Sequence, residues 1–454
     1  MSFSDNIAKY FFIGSLATVA LGGSFALGIV AHWKELPPVP LLKAINEDIN
    51  STGAAPSIDP RRFHVQPTRG QGDGVVTNQT NDDNVVLLVG FFDEENQARL
   101  VERDGTVLHR WSLDYFEHFP DSDDRACDLA NPLRVDTHGA VVTEKGELVF
   151  NYEYCGTVKL DLCGSVQWAL SQKTHHSLTR AEQGGYWALG RYKWTPADEP
   201  ERFPPFSSVP GDTRFIHEDT IVLLSETGEV LEEVSIPVLM RESGLLPLLT
   251  ATGDNFTDYD GGRRELVHAN KLTELPENLA DAFPLFSAGD LAISMRELNL
   301  VMVLDGETRA VKWHQIGPWL RQHDPEFRPD GRISIFNNNV FRNAYTGGQT
   351  NLDVPFTTNI ILVDPTTNET EIRYGGPGQE MLSVIRGQHE LLPNDGILIT
   401  EFDAGRVIEI DASDEVVWEY VNRYDDALVG EIANASVFPR SYFEGGVPTP
   451  GSCS

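Results

Sequence analysis

QHDPEFRPDGRISIFNNN, residues 322–339, sets a polar head (Gln322-His323-Asp324) before a Pro-Asp-Gly turn and a strand that ends on asparagines. The same phrase recurs along the chain. It is THGAVVTEKGELVFNY at 137–152, HHSLTRAEQGGYWALGR at 175–191 and QHELLPNDGILITEF at 388–402. A further copy, HANKL at 268–272, reaches its strand GDLAISMR at 289–296 after an insertion. A histidine, a turn glycine and a strand repeated at this scale are the signature of a radial array of like units. The second half of each unit is a hairpin through a turn such as DGT, TGE or DGET, and it often closes on tryptophan, as at Trp111, Trp168, Trp313 and Trp418. Six such halves begin near residues 99, 157, 221, 300, 360 and 406. The pattern predicts an all-β fold, a six-bladed β-propeller, with the tryptophans packing blade against blade.

Four segments follow from composition. Residues 1–34 hold an uncharged apolar run, Tyr10 to Trp33, long enough at about 1.5 Å per residue to cross a bilayer. It is read as an N-terminal transmembrane helix or signal anchor that places the rest of the chain on the periplasmic or extracytoplasmic side. Residues 35–83 are rich in Pro, Gly, Asn and Asp and read as a linker, 84–440 carry the propeller, and 441–454 form a C-terminal tail. Two insertions, from Trp194 and from Arg241, are expected to be loops that shape one face of the channel.

The net charge of −33, from 68 acidic and 35 basic residues, excludes nucleic acid as a partner, because phosphate binding needs a basic face. The four cysteines, Cys127, Cys155, Cys163 and Cys453, lack the close pairing of a zinc site. Cys155 and Cys163 flank a short strand and are candidates to close a hairpin. Disulfides would suit an exported compartment.

If the strand after each turn is the innermost of its blade, the histidines ahead of it converge at the channel mouth. His138, His176, His268, His323 and His389 are then brought together, with Arg191 and Arg296 at the ends of such strands. Imidazoles and guanidinium groups around one cavity suit a compact oxyanion. His175 adjoins His176. Asn338 is read both as a brace of the strand end and as a donor to a substrate oxygen. Asp324 is read as structural, since neighbours on a strand point to opposite faces.

The stretch from about 85 to 425 resembles the arylsulfate sulfotransferase family, a group of six-bladed propellers. HHSL at His175, HANKL at His268, ISMR ending at Arg296 and the 322–339 phrase carry the likeness. The resemblance implies cofactor-independent transfer of a sulfuryl group from an aryl sulfate donor, a phenolic ester, to a phenolic acceptor. It implies that His323 is the nucleophile, forming a sulfohistidine, and that His176, His268 and Arg296 hold the sulfate oxygens. His389, His175, Asn338 and Arg191 complete the expected substrate contacts, and no metal or other cofactor is expected. The chain departs from the family at His175-His176-Ser177, where the family has His-His-Asp. It departs again at Asn337-Asn338, where an Asp usually precedes the Asn. Two other readings stand beside this one. In one, three histidines hold a metal ion; in the other, the propeller is a non-catalytic, membrane-tethered scaffold; arginine in phase with the histidines, where carboxylates would suit a metal, favours an anion.

Overall fold

The computed structural model describes residues 60–453 apart from 71, 128, 130, 196, 198, 200–214, 251–262 and 341–357, together with 23 and 24. The chain divides into two units, Met1–Phe63 and His64–Ser454. Among the described residues no helix is long and apolar enough to cross a membrane. The apolar run Tyr10 to Trp33 lies outside them except at residues 23 and 24.

The second unit is a six-bladed β-propeller, each blade an antiparallel sheet of four strands, two of them extended by a fifth. From the channel outward, blade 2 is Thr137–Val142, Leu148–Tyr152, Gly156–Leu160 and Val166–Leu170. Blade 3 is Thr174–Arg180, Tyr186–Trp194, Phe215–Leu224 and Val230–Ser235, with Arg263–Glu265 added in parallel to its third strand. Blade 4 is Ala269–Glu274, Leu291–Met295, Leu300–Leu304 and Val311–Ile316. Blade 5 is His323–Phe327, Ile333–Asn337, Asn359–Val363 and Thr370–Tyr374. Blade 6 is Gln388–Leu391, Ile397–Glu401, Arg406–Ile410 and Val416–Val421.

Blade 1 closes the ring. Its outer three strands, Val85–Phe92, Glu95–Glu102 and Val107–Ser112, come from the start of the propeller, and its innermost strand, Ile432–Phe438, comes from the end. Two strands fall within the stretch read as linker. Gly74–Asn78 adds an outer strand to blade 6, and Val65–Pro67 pairs with Leu428–Gly430. Blade 6 thus gains a strand from ahead of blade 1, a second clasp on the closure.

The register corrects one expectation. The strand after the turn glycine is the second of each blade, and the histidine-bearing segment is itself the innermost. Second strands such as Leu291–Met295 are buried on both faces, so they carry no alternation to distinguish them from channel-lining strands.

The tryptophans do pack blade on blade, and each also donates its indole N–H to the turn between the third and fourth strands of the next blade. Trp111 donates to Asp161 O at 3.1 Å, Trp168 to Glu226 O at 3.0 Å, Trp313 to Asn368 Oδ1 at 2.9 Å and Trp418 to Arg103 O at 2.8 Å. Blades 3 and 5 lack this tryptophan, and ion pairs take its place. Glu232 accepts from Arg309 of blade 4 at 2.6 Å, and Arg373 pairs with Asp414 of blade 6. The cysteines do not close the expected hairpin. Cys127 bonds Cys155, and Cys163 bonds Cys453, which ties the C-terminal segment to the third turn of blade 2. Proximity in sequence favoured Cys155 with Cys163, but Gly156–Leu160 runs straight between them as one strand and carries them apart.

Candidate functional site

The innermost strands do not run straight to their ends. Those of blades 1 to 5 each carry a register shift near their start, after Ile432, Thr137, His175, Ala269 and His323. A bulge of this kind re-aims a side chain that regular pleating would send into a blade face. His176 and His268 both take φ of 51°, the left-handed region that costs a non-glycine residue about 1 kcal/mol.

The bulges bring the rings together. The His176 ring lies 4.5 Å from His138, 5.0 Å from both His175 and His268, and 6.5 Å from His323 between centroids. A chain of contacts runs through them: Arg296 Nη2 to His268 Nδ1 at 3.2 Å, His268 Nε2 to His176 Nε2 at 3.3 Å, His176 Nδ1 to His175 Nδ1 at 2.8 Å, and His175 Nε2 to Gly190 O at 3.1 Å. Its two ends fix its direction. A guanidinium only donates and a carbonyl only accepts. His268 therefore accepts at Nδ1 and donates from Nε2, His176 accepts at Nε2 and donates from Nδ1, and His175 accepts at Nδ1 and donates from Nε2. Every proton is assigned, with none left over.

His323 is fixed in the same way. Its Nδ1 lies 2.6 Å from Asn338 Oδ1 and 3.2 Å from Arg321 O. Asn338 Nδ2 donates to Ser383 O at 2.9 Å and Arg386 O at 2.8 Å, so the amide oxygen must be the atom facing the ring. Both neighbours of Nδ1 are acceptors. Nδ1 carries the proton, and Nε2 keeps its lone pair, buried and without a partner. Burial and the nearby Arg296 guanidinium push the His323 pKa down to about 3, so the ring is neutral across the physiological range. Burial pushes His176 and His138 well down, helped by the adjoining histidines at His176 and by the Arg386 guanidinium at His138, and it pushes His175 down to about 3.

Arg296 is held by Glu297 Oε1, at 3.0 Å from Nη2 and 3.2 Å from Nε. Arg191 is a step further back. Its Nε donates to Asp219 at 2.8 Å and its guanidinium lies 4.2 Å over Tyr154, whose ring is 4.9 Å from His175. Asp219 also accepts from the Ala269 amide at 2.8 Å, which joins blade 3 to the strand that follows His268. His389 sits in a different network. Its Nε2 meets Ser334 Oγ at 2.7 Å and its Nδ1 meets Asp324 at 2.9 Å. Asp324 also pairs with Lys271 at 2.8 Å, so it braces blades 4, 5 and 6 and does not orient His323. At the two departures from the family pattern, the Ser177 hydroxyl bridges to the Leu272 backbone of blade 4, at 3.3 Å from O and 3.2 Å from N. Asn337 Oδ1 accepts from the Leu320 and Asn339 amides at 2.8 and 3.1 Å.

The residues the sequence reading left out are Arg386, Glu153 and Asp136. Arg386, buried, pairs with both Asp136 and Glu153, and its backbone carbonyl helps hold Asn338. Glu153 in turn lies 3.8 Å from His176 Nδ1. The one signal was an arginine shortly ahead of Gln388-His389, as Arg321 stands ahead of Gln322-His323. His64, Asp136 and Glu431 bring three ligand atoms within 4.8 Å of one another. The Arg386 guanidinium on Asp136 already supplies the positive charge there, and His64 is engaged with Glu431 and with Leu133 O, both at 2.7 Å.

Solved structures of similar shape include a Bacteroides caccae protein of unknown function, 11% identical with a TM-score of 0.48 over 79% of this chain and 99% of that one. They also include a virginiamycin B lyase from Staphylococcus aureus with quinupristin, 10% identical with a TM-score of 0.38 over 76% of this chain and 86% of that one. A functionally unknown protein from Desulfotomaculum acetoxidans is 12% identical with a TM-score of 0.40 over 77% and 98%. Likenesses this loose carry no functional argument. No curated protein matches the chain. The family model described as Arylsulfotransferase (ASST) matches residues 137–423, from the innermost strand of blade 2 to just past the outer strand of blade 6. Well over half of the sequence lies in that match, and the chain belongs to the arylsulfotransferase family.

Proposed function

We infer that this protein transfers a sulfuryl group from a phenolic sulfate ester to a phenolic acceptor, without a cofactor, through a sulfohistidine on His323. One observation carries the reading: Nε2 of His323 is a buried lone pair with no partner, on a ring whose other nitrogen is locked as the donor. A neutral, oriented imidazole is a nucleophile at no cost of deprotonation. In the first half-reaction Nε2 attacks sulfur, the N–S bond forms, the S–O(aryl) bond breaks, and the phenolate leaves. In the second, the acceptor phenol gives up its proton to a base, its oxygen bonds to the same sulfur, the S–N bond breaks and Nε2 recovers its electron pair.

By analogy with phosphoryl transfer, the transition state is loose, and its charge spreads over the transferring oxygens. Arg296 and the N–H of His268 are the donors on one side of the ring cluster, and His176 is the hinge of the proton chain between them and His175. A sulfate oxygen accepts the hydrogen bond from His268 Nε2–H in place of the His176 lone pair. Donors placed in advance around developing charge stabilise it most where water is excluded.

Two disulfides support an exported, oxidising compartment, and we place the propeller on the extracytoplasmic side of a membrane held by the segment Tyr10 to Trp33. The test of function is turnover of 4-nitrophenyl sulfate by the full chain, with and without a phenol. Nitrophenol release that rises with acceptor and survives a chelator supports the reading. Release abolished by chelation, or no release at all, removes it.

A further inference from the structure

The donors Arg296 and His268 stand on the blade 4 side of His176. On the opposite side, toward blades 2 and 6, stand two groups that the transfer to His323 does not use. His138 Nε2 is out of contact with solvent and without a partner, and so is Nη1 of Arg386, a side chain more than nine-tenths buried. The His138 ring lies against His176, 4.5 Å between centroids, and close to the backbone carbonyl of that residue. With the ring proton on Nδ1, the partnerless Nε2 holds a lone pair. Gly139 permits this approach: a Cβ there would lie 2.5 Å from that carbonyl.

With Nε2 unprotonated, the two unsatisfied atoms are one acceptor and one donor. A phenolic hydroxyl is a donor through its proton and an acceptor through its oxygen. We propose that His138 is the general base of the second half-reaction, taking the proton of the acceptor phenol at Nε2 while Nη1 of Arg386 holds the phenol oxygen. The proposal rests on the sulfohistidine reading above. The phenol O–H bond breaks to His138, the O–S bond forms, the S–N bond to His323 breaks, and the electron pair returns to His323 Nε2. His138 then gives its proton to water, or to the next leaving phenolate when the donor is a poor one. Burial and the Arg386 cation hold His138 unprotonated before the phenol binds, as a base requires. Asp136 and Glu153 anchor Arg386 through its other nitrogen and leave Nη1 for the substrate.

The experiment separates the two half-reactions in the full chain. Wild-type protein and His138→Gln are mixed with 4-nitrophenyl sulfate alone to read the nitrophenol burst, and then with phenols of graded acidity to read transfer. The burst of His138→Gln should stay within about threefold of wild type, because nitrophenolate leaves without a proton. Transfer to weakly acidic phenols should fall by roughly 10²–10⁴, the usual contribution of a positioned base, with a smaller loss for acidic phenols. Equal loss of burst and transfer would mark His138 as a structural residue, and unchanged transfer would mark it as a bystander; either overturns the proposal. Should the variant fold poorly, wild-type protein gives the same answer. A solvent deuterium isotope effect on transfer but not on the burst is expected, and its absence from transfer overturns the assignment. A wild type with no burst would instead sink the sulfohistidine reading beneath it.

Discussion

Asn338→Leu tests whether the nucleophile is made by its neighbour. The leucine keeps the branched shape of asparagine with methyl groups in place of the amide oxygen and nitrogen, and it removes three hydrogen bonds at once. The His323 Nδ1 proton loses its 2.6 Å acceptor and keeps only Arg321 O at 3.2 Å. Ser383 O keeps a long contact with Thr358 Oγ1 at 3.4 Å, whereas Arg386 O loses the 2.8 Å donor that held it. Each buried polar group left unmatched costs about 1–3 kcal/mol, so global stability should fall by roughly 2–4 kcal/mol. The effect on rate is separable. With one weaker acceptor left, the ring is free to turn and to exchange its tautomer, and sulfation of His323 should slow about 10–100-fold, equivalent to ~1.4–2.7 kcal/mol. Asn338→Asp is the partner experiment. A carboxylate still accepts from Nδ1, but its charge raises the imidazole pKa. The acid limb of sulfation should therefore move upward from its wild-type position near the His323 value of about 3. Stopped-flow burst kinetics with 4-nitrophenyl sulfate read the rate, and denaturant titration reads the stability. A folded Asn338→Leu protein with a burst within twofold of wild type would refute the claim that this amide prepares the nucleophile.

Four more outcomes follow from the same geometry. His323 and His175, with pKa values pushed down to about 3 by burial, take up protons on unfolding whenever the pH lies between about 3 and their unfolded value of 6.5. Stability is therefore fully present above 6.5 and falls as the pH drops toward 3, while the burst rate stays level from neutral pH to about pH 4. Thermal melts across this range would show the fall, and a burst rate that declines near 6.5 would contradict the assignment. His64 works in the other direction. Burial lowers its pKa but Glu431 and Asp136 outweigh that and raise it to about 9, so its contribution is complete below 6.5 and is lost as the pH rises through 9. His64→Gln should flatten the alkaline side of the stability profile. Lys271→Met leaves Asp324 and Glu326 buried without their cation and should cost about 3–5 kcal/mol in denaturant titration while the purified protein keeps its disulfides. Gly139→Ala puts a Cβ 2.4 Å from Leu178 N and 2.5 Å from His176 O, and it should lower both the melting temperature and the burst rate.

Much of this was legible in the sequence because the repeat is local. The histidine, the turn glycine and the following strand lie within one stretch of chain, so blade number and the grouping of His176, His268, Arg296 and His323 could be read from spacing. The tryptophans could be read for the same reason. What escaped notice depends on contacts that cross the ring. Arg386 meets Asp136 across 250 residues and Glu153 across 233, and no spacing announces such pairs. His389 shares the Gln-His phrase of His323, yet its innermost strand, Gln388–Leu391, has no register shift to re-aim it. It stays in the regular pleat against Ser334 and Asp324. The bulge makes the difference between two similar phrases, and a bulge is a property of paired strands that a single strand's sequence does not display.

The central claim is that Nε2 of His323 becomes bonded to sulfur. Intact and peptide mass spectrometry of the full chain, quenched after mixing with 4-nitrophenyl sulfate and kept at alkaline pH, reads this directly. A mass gain of one SO₃ group on the peptide holding His323, discharged on adding phenol and absent from His323→Asn, is the expected result. Acceptor-dependent turnover with no such adduct, or with the group on a different residue, would contradict the account.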